Sequence, residues 1–317
     1  MIFLKNRKVC WEMITLSDFK RVLSLENVKE WFFKTWPIFP AMFYLMSFLV
    51  IVLFYLIGLS LNHPSSEIDF PSFASFIELF ENEYFNSALI NTTLFMILGT
   101  PLELITGLFL SFLIFRSFFM RGIIRSLFLI PLALPALVTA MLLFVLFDFP
   151  GGHINHIITG GYSWFPQVFD QPINWRGSKS FSMAIALFGK IWRDMPISML
   201  ILLAGINNID PELFDAAKTM GASFRKRVVH VIMPLMIPSI SVVLLLRSVE
   251  MWKEFIFPFV LAGRYHLLGT LIDFYYNEIG NSHMAATVAI VMVICIVIST
   301  LILMKTLELI QKLIVSR

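Results

Sequence analysis

Apolar residues gather into long runs along this chain, with short polar breaks between them. Six stretches are apolar enough to be membrane-crossing helices, at about 38–60, 88–115, 122–147, 181–206, 237–262 and 284–306. About 20 mainly apolar residues cover roughly 30 Å of hydrocarbon. The first run starts too late and is too long for a cleaved leader, and no small-residue cleavage site follows it, so it is expected to be retained. Upstream, residues 17–36 mix apolar and basic positions, placing Leu23, Val28, Trp31 and Phe32 on one helical face. That pattern suits an interfacial amphipathic helix or a cytoplasmic helix resting on the bundle. Residues 148–180, rich in Gly, Pro and Asn and holding Trp164 and Trp175, read as an ordered external cap.

Composition turns this pattern into a class. The chain is 58% hydrophobic and only 14% charged, with a mean hydropathy of +0.82. Soluble domains carry about 25% charged residues, so the chain reads as an all-α integral membrane protein of six helices. Charge placement orients it. Lys5, Arg7, Lys8, Lys20, Arg21, Lys29 and Lys34 precede the first span; Arg116, Arg121 and Arg125 join the second and third. Lys218, Arg225, Lys226 and Arg227 join the fourth and fifth, and Lys305, Lys312 and Arg317 close the chain. The other side holds Arg176, Lys179 and Arg264. Basic loops stay in the cytoplasm, so a multi-pass protein of the plasma (inner) membrane with both termini cytoplasmic is expected. The expected parts are a cytoplasmic tail (1–37), a six-helix domain (38–306, with an elbow at 207–236) and a second tail (307–317). Cys10 and Cys295 fall in unlike settings and imply no disulfide framework.

Several chemistries find no footing. There is no glycine-rich phosphate loop; Gly177-Ser178-Lys179-Ser180 lacks the preceding glycine spacing. His153 and His156 have no third ligand nearby, so no metal site and no catalytic residue is expected. Asn91-Thr92-Thr93 matches a glycosylation sequon but lies at the mouth of a span.

The most informative stretch runs from Asn207 to Pro238. Asp210 suits an N-cap, Pro211 the first helical position, and Glu212 the positive helix end. A helix is expected from Pro211 to about Met220, with Leu213, Ala216, Ala217 and Met220 on one face. Gly221 then supplies a left-handed cap. Ser223 starts a second helix, which Pro234 is expected to stop before the fifth span. The product is a helix–Gly–helix elbow on the cytoplasmic side, with small residues that permit close approach.

The string Asp215-Ala216-Ala217, then Gly221, then Val231-Ile232-Met233-Pro234 resembles the E-A-A-x3-G-x9-I-x-L-P motif of ABC importer permeases. More narrowly, it is similar to the binding-protein-dependent carbohydrate permeases of the maltose type. Ile191-Trp192-Arg193, Pro196, Leu203-Ala204-Gly205, Asp210-Pro211-Glu212-Leu213, Asn91-Thr92 and Ile130-Pro131 agree, so the similarity covers about 38–306. Asp215, Val231 and Met233 stand where the motif has Glu, Ile and Leu, and Ala262-Gly263-Arg264 stands where a Gly-Gly-Pro is usual.

The resemblance implies a type I importer permease core for a sugar, oligosaccharide or glycoside-like solute. It implies a second permease subunit, two ATP-binding cassette subunits carrying ATP and Mg, and an external solute-binding protein. It makes Asp215, Ala216, Ala217, Met220, Gly221 and Pro234 the expected ATPase-coupling residues. No nucleic-acid partner is implied, and this chain holds no cofactor of its own.

Charges inside the spans are the second candidate site. Lys190, Arg193 and Asp194 lie in the fourth, Arg247, Glu250, Lys253 and Glu254 in the fifth, and Glu103 beside Pro101 in the second. Such charges are costly in lipid and face protein or water. On a continuous helix Arg247, Glu250, Lys253 and Glu254 share one stripe, so Arg247 and Lys253 neutralise Glu250. Two readings stand: the stripe, with Trp192 or Trp252 against a sugar ring, lines the substrate pathway or its gate, or the pairs hold helices together. An ion-coupled carrier using Glu250 and Asp194 is the alternative from another class. Pro131, Pro135, Pro196 and Pro258 are expected to kink or break spans.

Overall fold

The computed structural model describes residues 36–63, 65, 70–115 and 119–315. The tail helix expected at 17–36 lies outside these except for Trp36. Every element among the described residues is helical. The chain divides into two compact units, Met1–Leu56 and Ile57–Arg317.

The first unit contains most of α1 (Phe39–Ser60), which has no charged residue and is apolar all round. Trp36 and Phe39 stack at its start, with ring centroids 6.1 Å apart.

The second unit begins with α2 (Ala74–Glu81) and the long α3 (Glu83–Phe115). The third expected span is two helices, α4 (Arg121–Ala133) and α5 (Ala136–Leu146), bent by 91°. The cause is Pro135: its ring drives the preceding residue out of the helical region, and Leu134 is extended at φ −80°, ψ 136°. A short α6 (His153–Ile158) lies in the cap, and α7 (Lys179–Asn207) follows. Pro196 sits inside α7 without breaking it.

The elbow comprises α8 (Pro211–Thr219), α9 (Phe224–Arg227), a π turn (Val228–Ile232) and α10 (Met233–Leu235). α8 turns 70° from α7. Pro234 does not stop the chain as expected. It lacks an N–H and crowds the carbonyl four residues back, and the ladder widens ahead of it, Met233 N–H bonding to Val228. The 68° bend falls after Leu235, where α11 (Ile237–Trp252) begins.

The fifth span is also shorter than expected. α11 ends at Trp252, the chain breaks over 253–255, and α12 (Ile256–Leu261) resumes. α13 (Leu268–Asp273), a second π turn (Phe274–Glu278) and α14 (Ser282–Val315) complete the fold.

α3 and α7 form the central pair, and glycine brings them together. A Cβ at Gly107 would lie 2.8 Å from Ser198 Cβ and 3.1 Å from its backbone, closer than packed atoms allow. Because Phe115 contacts the elbow, Glu83 marks the far end of the bundle, about 50 Å away at 1.5 Å per residue. Leu202, Ile206, Ile232, Met236 and Val243 form the core at the elbow end. Leu79, Phe85, Trp252, Leu271, Tyr275 and Met284 form it at the far end.

The cap at 148–178 is ordered around buried Asn155. Its amide donates to the carbonyls of Asp148 and Ile173, and its oxygen accepts from Ile173 N–H and Trp175 Nε1. Asn91, in the glycosylation-like string, is buried too; it donates to the His266 carbonyl over 2.9 Å.

Candidate functional site: an exposed elbow and a buried charge cluster

Local chemistry builds the elbow. Asp210 Oδ1 accepts from Glu212 N–H at 3.0 Å, and Pro211 occupies the first turn, as the sequence leads one to expect. At the other end Gly221 has φ +75°. Its N–H donates to Lys218 and the next N–H reaches back to Ala217, both at 3.0 Å, which closes the helix in a Schellman-type turn. Nothing lies within 4 Å of where a Gly221 Cβ would stand. Backbone handedness, not space, therefore calls for glycine there.

The expected apolar face of α8 is divided. Ala217 is buried and faces the bundle, while Leu213, Ala216 and Met220 are exposed, Met220 at 81%. Phe214 beside them stacks on Phe115 at 5.6 Å, fixing α8 to the end of α3. Asp215 is exposed and lies nearly opposite Ala217 around the helix. α8 thus turns Ala217 and Phe214 to the bundle and offers an apolar strip flanked by a carboxylate.

The intramembrane charges converge from three helices. Lys190 Nζ lies 2.6 Å from Asp194 and 2.9 Å from Glu254. Arg193 Nη1 meets the other Asp194 oxygen at 2.6 Å. Arg247 Nη1 is 2.6 Å from Glu250, 3.7 Å from Glu103 and 4.0 Å from Asp194. Lys190 also stands 3.9 Å from Glu250. The Arg247 and Glu103 side chains are wholly buried, whereas those of Glu250 and Arg193 are about a quarter exposed, at 25% and 24%. These two form the accessible edge of the cluster.

Lys253 departs from expectation. α11 has ended before it, so its side chain leaves the stripe and is exposed. The second cation near Glu250 is Lys190, which with Glu103 is missing from the stripe read off the sequence. The Lys190–Asp194 spacing of four residues was the available signal. Glu254 stays in the cluster despite the break, because its Oε1 accepts from Phe257 N–H at 3.2 Å while Oε2 meets Lys190.

Trp252 turns away from the charges into the far-end core, beside Leu79, Phe85 and Leu268, and is 4% exposed. Trp192 is half-buried. Arg193 has a second duty: its Nε donates over 3.3 Å to the Leu134 carbonyl. That carbonyl is released by the break at Pro135, and in lipid it needs a partner.

Apolar helices on a buried ion cluster, with a capped elbow at one end, define a membrane transport domain. A family model for the binding-protein-dependent transport system inner membrane component matches residues 103–315, and the chain belongs to that family. It is a transport subunit of an importer and not an enzyme. The trehalose/maltose transport system permease protein MalF of Thermococcus litoralis is 26% identical over 219 residues, 68% of this chain and 72% of that protein. The xylose/arabinose import permease protein XacH of Haloferax volcanii is 26% identical over 233 residues, 70% and 71% of the two chains. A chain of a bacterial alginate ABC transporter, crystallised with an alginate pentasaccharide-bound periplasmic protein, superposes with a TM-score of 0.75 at 18% identity. It covers 89% of this chain and 98% of its own, and shares the fold.

Proposed function

We propose that this chain is one of two non-identical permease subunits of an ATP-driven importer of a sugar, oligosaccharide or glycoside-like solute. The curated relatives named for trehalose and maltose, for xylose and arabinose, and for sulfoquinovosyl glycerol support the solute class. An external binding protein delivers the solute, and two cassette subunits bind ATP and Mg. Both termini and the elbow face the cytoplasm.

The observation that carries the coupling role is the exposed Leu213–Ala216–Met220 strip of α8, which Ala217 and Phe214 seat on the bundle. An ATPase subunit grips this strip and Asp215. Its closure on ATP moves α8, and Gly221 and the bend ending at α10, which holds Pro234, pass that motion into α7 and α11. Only a difference in ATP affinity between the two arrangements drives the cycle. At the cluster, Arg193 and Glu250 meet the solute or its water at the accessible edge, with Trp192 beside them. Asp194, Arg247 and Glu254 hold that edge in place. Trp252 supports the far-end core, and Lys253 lies on the exposed side of the break.

The test is purification of the tagged chain from its native membrane in mild detergent, with mass spectrometry and ATP-hydrolysis and uptake assays. A cassette ATPase and a second permease are expected to co-purify. Gly221→Val should keep the chain in the membrane and abolish uptake. A chain that purifies alone, or normal uptake with Gly221→Val, overturns the proposal.

A further inference from the structure

At the far end of the bundle, α2 carries two apolar faces. One holds Ser75 and Leu79, both buried, with Phe76 packed at its edge. The other is open: Phe73, Ile77 and Phe80 are each more than half exposed, as are Phe70 before the helix and Tyr84 after it. Phe73 (at the helix start), Ile77 and Phe80 advance by four and three residues, which places them in one stripe of α2, with Phe70 in the bend before it and Tyr84 past the break at Asn82. Ser75 and Leu79 lie on the opposite side. Glu78 and Glu81 occupy one flank between the faces; Glu78 meets His63 at 3.5 Å, and Glu81 is exposed.

The chain fixes where this stripe sits. Ser72 N–H donates to the Leu61 carbonyl at 2.8 Å, tying the approach to α2 to the residue that follows α1. At the other end a single residue, Asn82, separates α2 from α3, and its side chain accepts from Tyr84 N–H at 2.8 Å. α3 is long and apolar enough to cross a membrane. α2 is therefore held next to the end of α3, at the level where that span leaves the hydrocarbon. Past Tyr84, α3 carries a separate exposed apolar stripe, Ile90, Leu94 and Ile97, about a third of a turn round the helix.

We propose that α2 is an interfacial anchor whose Phe73–Ile77–Phe80 stripe, flanked by Phe70 and Tyr84, is immersed in the headgroup–acyl boundary of the bilayer leaflet at the far end. An apolar helix face lies about 5–10 Å deep in that zone, and Tyr is enriched there because its ring is apolar and its hydroxyl polar. The acidic flank faces water and the Ser75–Leu79 face grips the bundle, so each sector of the helix has its own medium. Residues 61–87 contain no Lys or Arg, so anchoring is apolar rather than electrostatic and does not weaken in salt. The proposal rests on membership of a membrane permease family and is independent of the solute carried.

The test places a nitroxide on the full chain, in Cys10→Ser and Cys295→Ser background, at Ile77→Cys or Phe80→Cys. The protein is held, in the assembly in which it purifies, in nanodiscs of phosphatidylethanolamine and phosphatidylglycerol. Collision with oxygen, which concentrates in lipid, is compared with collision with a water-soluble nickel chelate. Ile90→Cys gives the lipid reference and Glu81→Cys the water reference; an unchanged elution profile and an intact Ile90→Cys signal certify the fold. Labels at Ile77 and Phe80 should favour oxygen as Ile90→Cys does, with no change at high salt. Preference for nickel would mean the stripe lies in water. Shielding from both reagents would mean that protein covers it. Either outcome overturns the proposal.

Discussion

The elbow and the charge cluster handle polar groups in opposite ways. In the elbow, α8 keeps its charges in solvent and is seated on the bundle by one small residue and one ring, Ala217 and Phe214. The cluster gathers Lys190, Arg193 and Arg247 against Glu103, Asp194, Glu250 and Glu254 from three helices, mostly out of solvent. Exposed ion pairs are worth little, whereas breaking a buried pair leaves an uncompensated charge at a cost of about 3–5 kcal/mol. The contrast teaches that the cluster governs whether the bundle holds together, and the elbow how it responds to an outside surface.

The sharpest way to break that contrast is Lys190→Met. It removes the cation paired with Glu254 and one of the two close cations on Asp194, and should cost about 3–5 kcal/mol, read as early thermal unfolding of the detergent-solubilised chain. An unchanged melting curve would show that the cluster does not hold the bundle. Gly107→Val should come next: its extra carbons meet Ser198 and force α3 from α7, at about 1–3 kcal/mol. Comparing its uptake with its melting temperature separates packing from transport.

Elbow changes should invert the pattern. Phe214→Ala removes the stack on Phe115, worth about 0.5–1.5 kcal/mol beyond its buried area. Uptake should fall far more than stability; a fall in both to the same degree would erase the distinction drawn here. The smallest expected effect is at His266, in the loop before α13. Burial pushes its imidazole below the usual 6.5, with Glu278 pulling the other way. A depressed histidine contributes stability above its unfolded value that is lost as pH falls. Hydrogen exchange near His266 should therefore quicken below about pH 6.5, and His266→Phe should flatten the change.

The elbow was legible because its determinants are neighbours in the chain: Asp210, Pro211 and Gly221 act within one or two turns. Four of the six spans were legible as continuous runs for the same reason. The cluster was only half legible, because its members come from positions as distant as 103, 190 and 247, and no local spacing reports such a meeting. Lys253 was misplaced by carrying the helical period past the point where the helix ends. The sign against doing so was Pro258, which cannot donate to the carbonyl of Glu254 four residues earlier. That carbonyl packs against Gly269, whose Cβ would approach it to 2.9 Å. The bend in the third span followed from Pro135, but its partner Arg193 was read only as a charge. The exposure of Leu213, Ala216 and Met220 was hidden because periodicity identifies an apolar face without saying what covers it.

The bond between Arg193 and the Leu134 carbonyl has a consequence for how this chain is free to drift over generations. A carbonyl is supplied by whatever residue occupies position 134, while the guanidinium is supplied by arginine alone. The constraint is one-sided. Position 134 can wander among apolar residues without disturbing the contact, and position 193 cannot. Substitutions at the two sites will therefore show no correlated change, although the atoms touch. A contact map inferred from paired mutations will be blind to this one fastening between the third and fourth spans.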